Sequence, residues 1–193
     1  MRAWKNLHGL HFQSCAITAK TLEAVESLPL ISYFSTHGDE IEARSLARCS
    51  FLRKMEHIDL CYVPEIDVVL MALSGSKQLH SLNIDQSSPT EAAIKALSQC
   101  PNLKTFSWEQ SEISRAQLTA LSQLDRVEEL WIRKSIFDPM QLAKLPGFRH
   151  LRRLYVNEKG WTARQIAAVK AALPQCQFTM DEQREMRLRS DEW

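Results

Sequence analysis

Apolar residues recur along this chain at a fixed spacing of 24. Steps of 24 from Leu7 reach Ile31, Met55, Leu79, Leu103, Val127 and Leu151, and three residues further on stand Leu10, Phe34, Ile58, Leu82, Phe106, Leu130 and Leu154. Fifteen residues after the first column come Leu22, Leu46, Leu70, Ile94, Leu118, Leu142 and Ile166, and eighteen after it Val25, Cys49, Leu73, Leu97, Leu121, Leu145 and Val169. At 45% apolar content, four full columns would arise by chance with a probability of roughly 10⁻¹⁰. The period is a property of the fold.

A fifth column, Phe12, Thr36, Leu60, Ile84, Trp108, Ile132 and Val156, is apolar in all but the second unit. Each unit therefore begins L-x-x-L-x-L, and its last two apolar positions, being two apart, share one face of an extended strand. Eleven residues after the first column stand Thr18, Glu42, Ile66, Thr90, Ser114, Asp138 and Thr162. All but Glu42 and Ile66 are residue types whose side-chain oxygen caps a helix N-terminus. A short helix is predicted in the second half of each unit, its buried stripe formed by the two apolar columns three apart, with turns such as Leu145-Pro146-Gly147 closing it. Pro139, directly after Asp138, suits a first helical position, where its missing amide costs nothing.

One strand and one helix of this size cannot bury their apolar faces alone, so neighbouring units must stack. Stacked strands pair in parallel at about 4.8 Å, and seven of them make a sheet roughly 30 Å across. Helices are wider than strands, so the stack curves with its strands inside. The expected fold is an α/β solenoid with a parallel sheet on the concave face and short helices on the convex face.

The units Leu79-His-Ser-Leu82-Asn-Ile84, Leu103-Lys-Thr-Phe106-Ser-Trp108 and Leu151-Arg-Arg-Leu154-Tyr-Val156 resemble the leucine-rich repeat family, and the resemblance runs from residue 7 to 174. It implies a curved solenoid that recognises partners on its concave strand face. Eight residues after the first column the family places a buried Asn or Cys, whereas this chain has Cys15, Asp39, Val63, Ser87, Ser111, Ser135 and Lys159. Of these Cys15 fits, so the hydrogen-bonded turn after each strand is expected to be irregular.

One repeat domain is expected over residues 1–180. Trp4 falls in the column of closing turns, so the first strand is expected to present an unpaired edge. Cys176-Gln-Phe178-Thr-Met180 fits a partial eighth strand. The charged stretch 181–193 either folds back as a cap through Met186, Leu188 and Trp193 or is a frayed terminus.

Function should reside in the side chains that the stacking does not use. Positions two, four and six of each unit face outward from the sheet. They include Tyr33, His57, Asp59, Asp85, Glu109, Trp131, Arg133, Arg153 and Tyr155, which we take as the candidate partner-binding set. Exposed aromatics beside charges have the composition of binding hot spots; alternatively Trp131 and Tyr155, on neighbouring strands, stack as a stabilising pair. Asp59, Asp85 and Glu109 lie mid-sheet, whereas Arg133, Lys134, Arg152 and Arg153 gather toward the end. That sorting suits a partner with complementary halves, unless Glu128 and Glu129 neutralise the arginines. Replacing Trp131 by Ala and Arg133 by Glu is expected to abolish partner capture with little change in melting temperature.

Charge and composition exclude several classes. With 24 Lys and Arg against 23 Asp and Glu, the formal net charge is +1, so no overall field attracts nucleic acid. No apolar run approaches the roughly 18 residues that cross a bilayer. Five cysteines without a close pair suit a reducing compartment, the cytoplasm, better than a disulfide framework. His8, His11, His37, His57 and His80 cluster in the first four units, and His37 with Cys61 invites a metal hypothesis, but no chelate spacing accompanies them. Ser74-Gly-Ser-Lys77 lacks the glycine and spacing of a phosphate loop, and Cys49 and Cys100 fall in core columns, where a thiol acts as a small hydrophobe. No catalytic residue, metal ligand or cofactor is nominated.

The expected function is non-enzymatic binding of a protein partner, in a monomer or an edge-paired dimer. A stoichiometric inhibitor or immunity-type protein is the sharper form. Two alternatives stand beside it: a metal-binding or hydrolytic enzyme using the His-rich units, and a subunit of a larger assembly docked through its first strand.

Overall fold

The computed structural model describes residues 4–38, 40–157 and 160–179. In chain order the elements are β1 (Gly9–Gln13), β2 (Ala16–Ile17), α1 (Ala19–Glu26), β3 (Tyr33–His37), β4 (Glu40–Ile41), α2 (Ala43–Arg48), β5 (His57–Cys61), α3 (Ile66–Leu73) and β6 (Ser81–Asn83). They continue with α4 (Glu91–Ala96), β7 (Thr105–Ser107), α5 (Arg115–Leu121), β8 (Glu129–Trp131), α6 (Pro139–Lys144), β9 (Arg153–Tyr155), α7 (Ala163–Ala172) and β10 (Gln177–Thr179). Short 3-10 turns follow α2, α4 and α6.

Eight strands form one parallel sheet in the order β1-β3-β5-β6-β7-β8-β9-β10. The register shifts by one period at every step: Leu10 pairs with Phe34, Phe34 with Ile58, Ile58 with Leu82, and so on to Leu154 with Phe178. The second apolar column of the sequence is thus a continuous row across the sheet, and the partial eighth strand is β10. Met180 and the stretch 181–193, for which a cap or a frayed end was expected, lie outside the described residues.

Each helix follows its strand and lines the opposite wall. All five expected caps form: Thr18, Thr90, Ser114, Asp138 and Thr162 accept a backbone N–H of the first helical turn. Ser114 and Thr162 also make reciprocal capping boxes with Gln117 and Gln165. Glu42 precedes α2 without a side-chain cap, and α3 starts after Glu65, one residue earlier than the column predicts. The stripe columns are buried from Leu22 to Leu142, except that Cys49 and Leu145 are half-buried, as is Ile166 in the last unit. Leu7, Leu10 and Phe12 are likewise only half-buried, because β1 has a neighbouring unit on one side only.

A sixth column is apolar in most units. Ten residues after the first column stand Ile17, Ile41, Glu65, Pro89, Ile113, Phe137 and Trp161. Ile17, Ile41 and Ile113 are buried, and the Phe137 and Trp161 rings meet edge to face with centroids 5.8 Å apart. Here a second parallel pairing forms, β2 with β4, echoed by a bridge between Glu112 and Ile136.

In the first six units the turn after the strand is regular, against expectation. Seven residues after the first column, Ser14, Gly38, Tyr62, Gln86, Gln110 and Lys134 all take positive φ between 50° and 65°. In this conformation the backbone N–H of Gln86 reaches Glu109 O at 3.0 Å and that of Gln110 reaches Arg133 O at 3.1 Å. Serines do what the buried Asn does in the resembling family. Ser111 Oγ donates to Ser87 O at 3.3 Å, and Ser135 Oγ to Trp108 O at 3.1 Å. Cys15, the residue expected to fit that role, is exposed.

Two positions carry testable costs. Thr36, the polar exception in the fifth column, is 1% exposed, and its hydroxyl is buried without a hydrogen-bond partner. Thr36→Val removes that unsatisfied group at nearly constant volume and should raise the unfolding free energy by about 1 kcal/mol, measured by urea denaturation. Gly147, in the turn after α6, lies so close to the Ser122 carbonyl that a Cβ would overlap its oxygen. Gly147→Ala forces a backbone shift between adjacent units and should cost about 2 kcal/mol in the same assay.

Candidate functional site

The outward columns converge on one cluster, near the C-terminal end of the sheet. Trp131 on β8 and Tyr155 on β9 are register partners. Their rings stack with centroids 3.6 Å apart and an interplanar angle of 11°. Trp131 Nε1 donates to Glu129 Oε1 at 2.8 Å, Arg153 Nη2 to Glu129 Oε2 at 2.6 Å, and the Arg133 guanidinium carbon lies 4.8 Å from the Trp131 ring centre. Burial, then the Glu129 carboxylate, push the Tyr155 phenol above its ordinary value. Trp131 and Tyr155 remain half-exposed.

Register explains this geometry. Residues 24 apart sit side by side, so Glu109 and Arg133 meet, with Arg133 Nε 2.6 Å from Glu109 Oε1, and Glu129 meets Arg153. On the same principle Glu128 bridges Lys104 at 2.7 Å and Arg152 at 3.1 Å. The hydrogen bond from Lys104, first, holds the Glu128 carboxyl below its usual value. Glu109, Glu128 and Glu129 are therefore each paired with a cation one period away, so the acidic half is neutralised within the sheet. Glu129, which the sequence offers only as a partner for the arginines, is the hub of the cluster; its signal is Arg153 one period later.

Not every outward position reaches solvent. Asp85 is 7% exposed and Glu109 5%. Asp85 Oδ1 accepts from Ser107 Oγ at 2.9 Å and from the Glu109 backbone N–H at 2.7 Å, so this carboxylate organises the strand-to-turn connection. Ser35 and Cys61 are also buried. Tyr33, His57 and Asp59 lie on β3 and β5, and three sheet steps, about 14 Å, separate β5 from β8. The structure brings together Glu109, Trp131, Arg133, Arg153 and Tyr155, and leaves Tyr33, His57 and Asp59 as a separate N-terminal group.

His37 and Cys61 are register partners, as expected, and Cys61 Sγ donates to Asp59 Oδ1 at 3.1 Å. Among the described residues, no three His, Cys, Asp or Glu side chains are arranged to hold a metal ion. The five cysteines form no disulfide. Burial raises the Cys49 and Cys100 thiols and pushes Cys176 up to about 11. These three stay protonated near neutrality, the form that is a poor nucleophile. Among the described residues, no helix is long and apolar enough to cross a membrane.

No family model matches the chain, and no curated protein matches it. Solved structures do. An internalin from Listeria monocytogenes superposes over 90% of this chain and 47% of its own length, with a TM-score of 0.54 and 16% identity. A leucine-rich repeat protein of Leptospira interrogans superposes over 91% of this chain and 49% of its own, with a TM-score of 0.54 and 13% identity. The chain thus spans about half the length of these proteins. Eight parallel strands, 24 residues apart, with short helices between them in the chain, give this chain the leucine-rich repeat fold.

Proposed function

We propose that this chain is a protein-interaction module that docks a protein partner on its concave sheet face, centred on Trp131, Arg133, Arg153 and Tyr155. The observation that carries the reading is the half-exposed Trp131–Tyr155 stack, fixed in place by Glu129 and Arg133. Aromatic side chains already held in one geometry lose little entropy on docking, which favours a rigid anchor for a partner. Tyr33, His57 and Asp59 form a second, outer contact zone on the same face. The role is binding rather than catalysis. A preformed surface of this size acts by covering its partner, the mode of a stoichiometric inhibitor or immunity-type protein. The absence of any disulfide among the five cysteines supports a reducing compartment such as the cytoplasm.

The test is affinity capture from cell extract with the wild-type chain and with Trp131→Ala, read by quantitative mass spectrometry. A specific protein should be captured by the wild type and reduced at least about 30-fold by the variant, the loss typical of a hot-spot residue. The variant should stay folded, losing about 2 kcal/mol of stability for the aromatic pair and the half-buried ring area together. Equal capture by a folded Trp131→Ala chain would overturn the reading.

A further inference from the structure

Formal charge is distributed unevenly along the solenoid. Residues 126–179 hold ten Lys and Arg against four Asp and Glu, whereas residues 1–125 hold 11 against 14. The described carboxylates of the C-terminal stretch are all engaged: Glu128 with Lys104 and Arg152, Glu129 with Arg153 and Trp131, and Asp138 as the cap of α6. Its cations outnumber them. Arg126, which pairs with Asp125 at 3.8 Å, and Arg149 lie in the turns leading into β8 and β9, Arg152 just before β9 and Arg153 within it. All four are exposed, and Arg153 shares β9 with Tyr155.

We infer that the partner segment docking at this site is acidic: a protein segment carrying clustered Asp or Glu beside an apolar anchor. The inference rests on the concave-face reading above and specifies its partner. Mid-sheet acids do not supply a matching negative half, since Asp85 and Glu109 are buried and engaged. A surplus of exposed cations beside a preformed aromatic anchor steers a negative partner toward it and disfavours a basic one. A protein segment fits better than single-stranded nucleic acid, which needs open ring faces for its bases. Here Tyr155 covers one face of Trp131, and the Arg133 guanidinium lies close to the same ring.

The experiment is selection of a phage-displayed library of random 16-residue peptides on the immobilised full chain at low ionic strength. Parallel selections use Trp131→Ala and the exposed-site variant Arg149→Glu with Arg152→Glu. A single-stranded oligothymidylate and vesicles containing phosphatidylserine serve as rival probes. The expected result is a pool enriched in Asp and Glu around an apolar residue, with retention about 10-fold lower on the charge-reversed chain and falling as salt is raised. A neutral or basic pool, no enrichment, or stronger retention of the oligonucleotide or the vesicles would overturn the inference. Loss of the pool on Trp131→Ala but not on the charge-reversed chain would leave the concave face standing and sink the acidic partner. Loss on the charge-reversed chain alone would do the reverse.

Discussion

Trp108→Ala lowers the unfolding free energy by about 4 kcal/mol, within the range expected for truncating a fully buried tryptophan. Trp108 fills the fifth apolar column at 0% exposure and is among the largest of the fully buried side chains. Its indole Nε1 donates to Ser87 O at 2.8 Å, tying it to the turn of the preceding unit. Truncation therefore opens a cavity and removes a link between units at once. Trp108→Phe separates the two effects: it keeps most of the ring volume and should cost roughly 1–2 kcal/mol, mainly for the lost hydrogen bond. Urea denaturation followed by circular dichroism measures both. A cost under about 1 kcal/mol for Trp108→Ala would contradict the placement of this column in the core.

The second large effect is at the ion pair between Arg133 and Glu109. Their side chains are 16% and 7% exposed, and removing one partner leaves the other charge buried without its counterion. Arg133→Ala should cost about 3 kcal/mol, whereas Arg133→Met with Glu109→Gln, which removes both charges, should cost far less. A double-mutant cycle by urea denaturation measures the coupling. Arg133→Glu would set a second carboxylate against Glu109, so Trp131→Ala with Arg133→Glu should lower the melting temperature rather than leave it nearly unchanged. Lost capture by that double variant would report unfolding as well as a lost contact.

The repeat was legible because burial acts on every unit alike. Four columns of Leu, Ile, Val and similar residues fixed the period, the strand register and the helix positions, and five capping residues marked where the helices begin. The left-handed turn was not legible. Its column holds Ser14, Gly38, Tyr62, Gln86, Gln110 and Lys134, and only Gly38 is the residue type that this conformation prefers. The backbone hydrogen bonds to the next unit hold the conformation, and they carry no side-chain signature. Ser87, Ser111 and Ser135 were visible but misread, because a hydroxyl reaching a backbone carbonyl substitutes for a larger amide only when the turn is already tight.

The site was half legible for a related reason. Alternation along a strand says which face a residue points to, and it picked out Trp131, Arg133, Arg153 and Tyr155. How much of that face is covered depends on what sits one period away. Asp85 looked exposed in sequence, yet Ser107 and the Glu109 backbone N–H enclose its carboxylate. Likewise, pairing each charge with the residue 24 positions later would have shown that Glu109 meets Arg133 and Glu129 meets Arg153, leaving the aromatic stack and the outermost arginines as the surface a partner meets.

The most direct measurement is photo-cross-linking in cells with benzoylphenylalanine placed at Thr105 on β7 of the concave sheet, compared with Lys95 on α4 of the convex wall. Docking on the sheet face should give a discrete covalent adduct with a partner protein from position 105, reduced when Trp131 is replaced by Ala, and little or none from position 95. Adducts formed equally from both positions, or mainly from position 95, would contradict it.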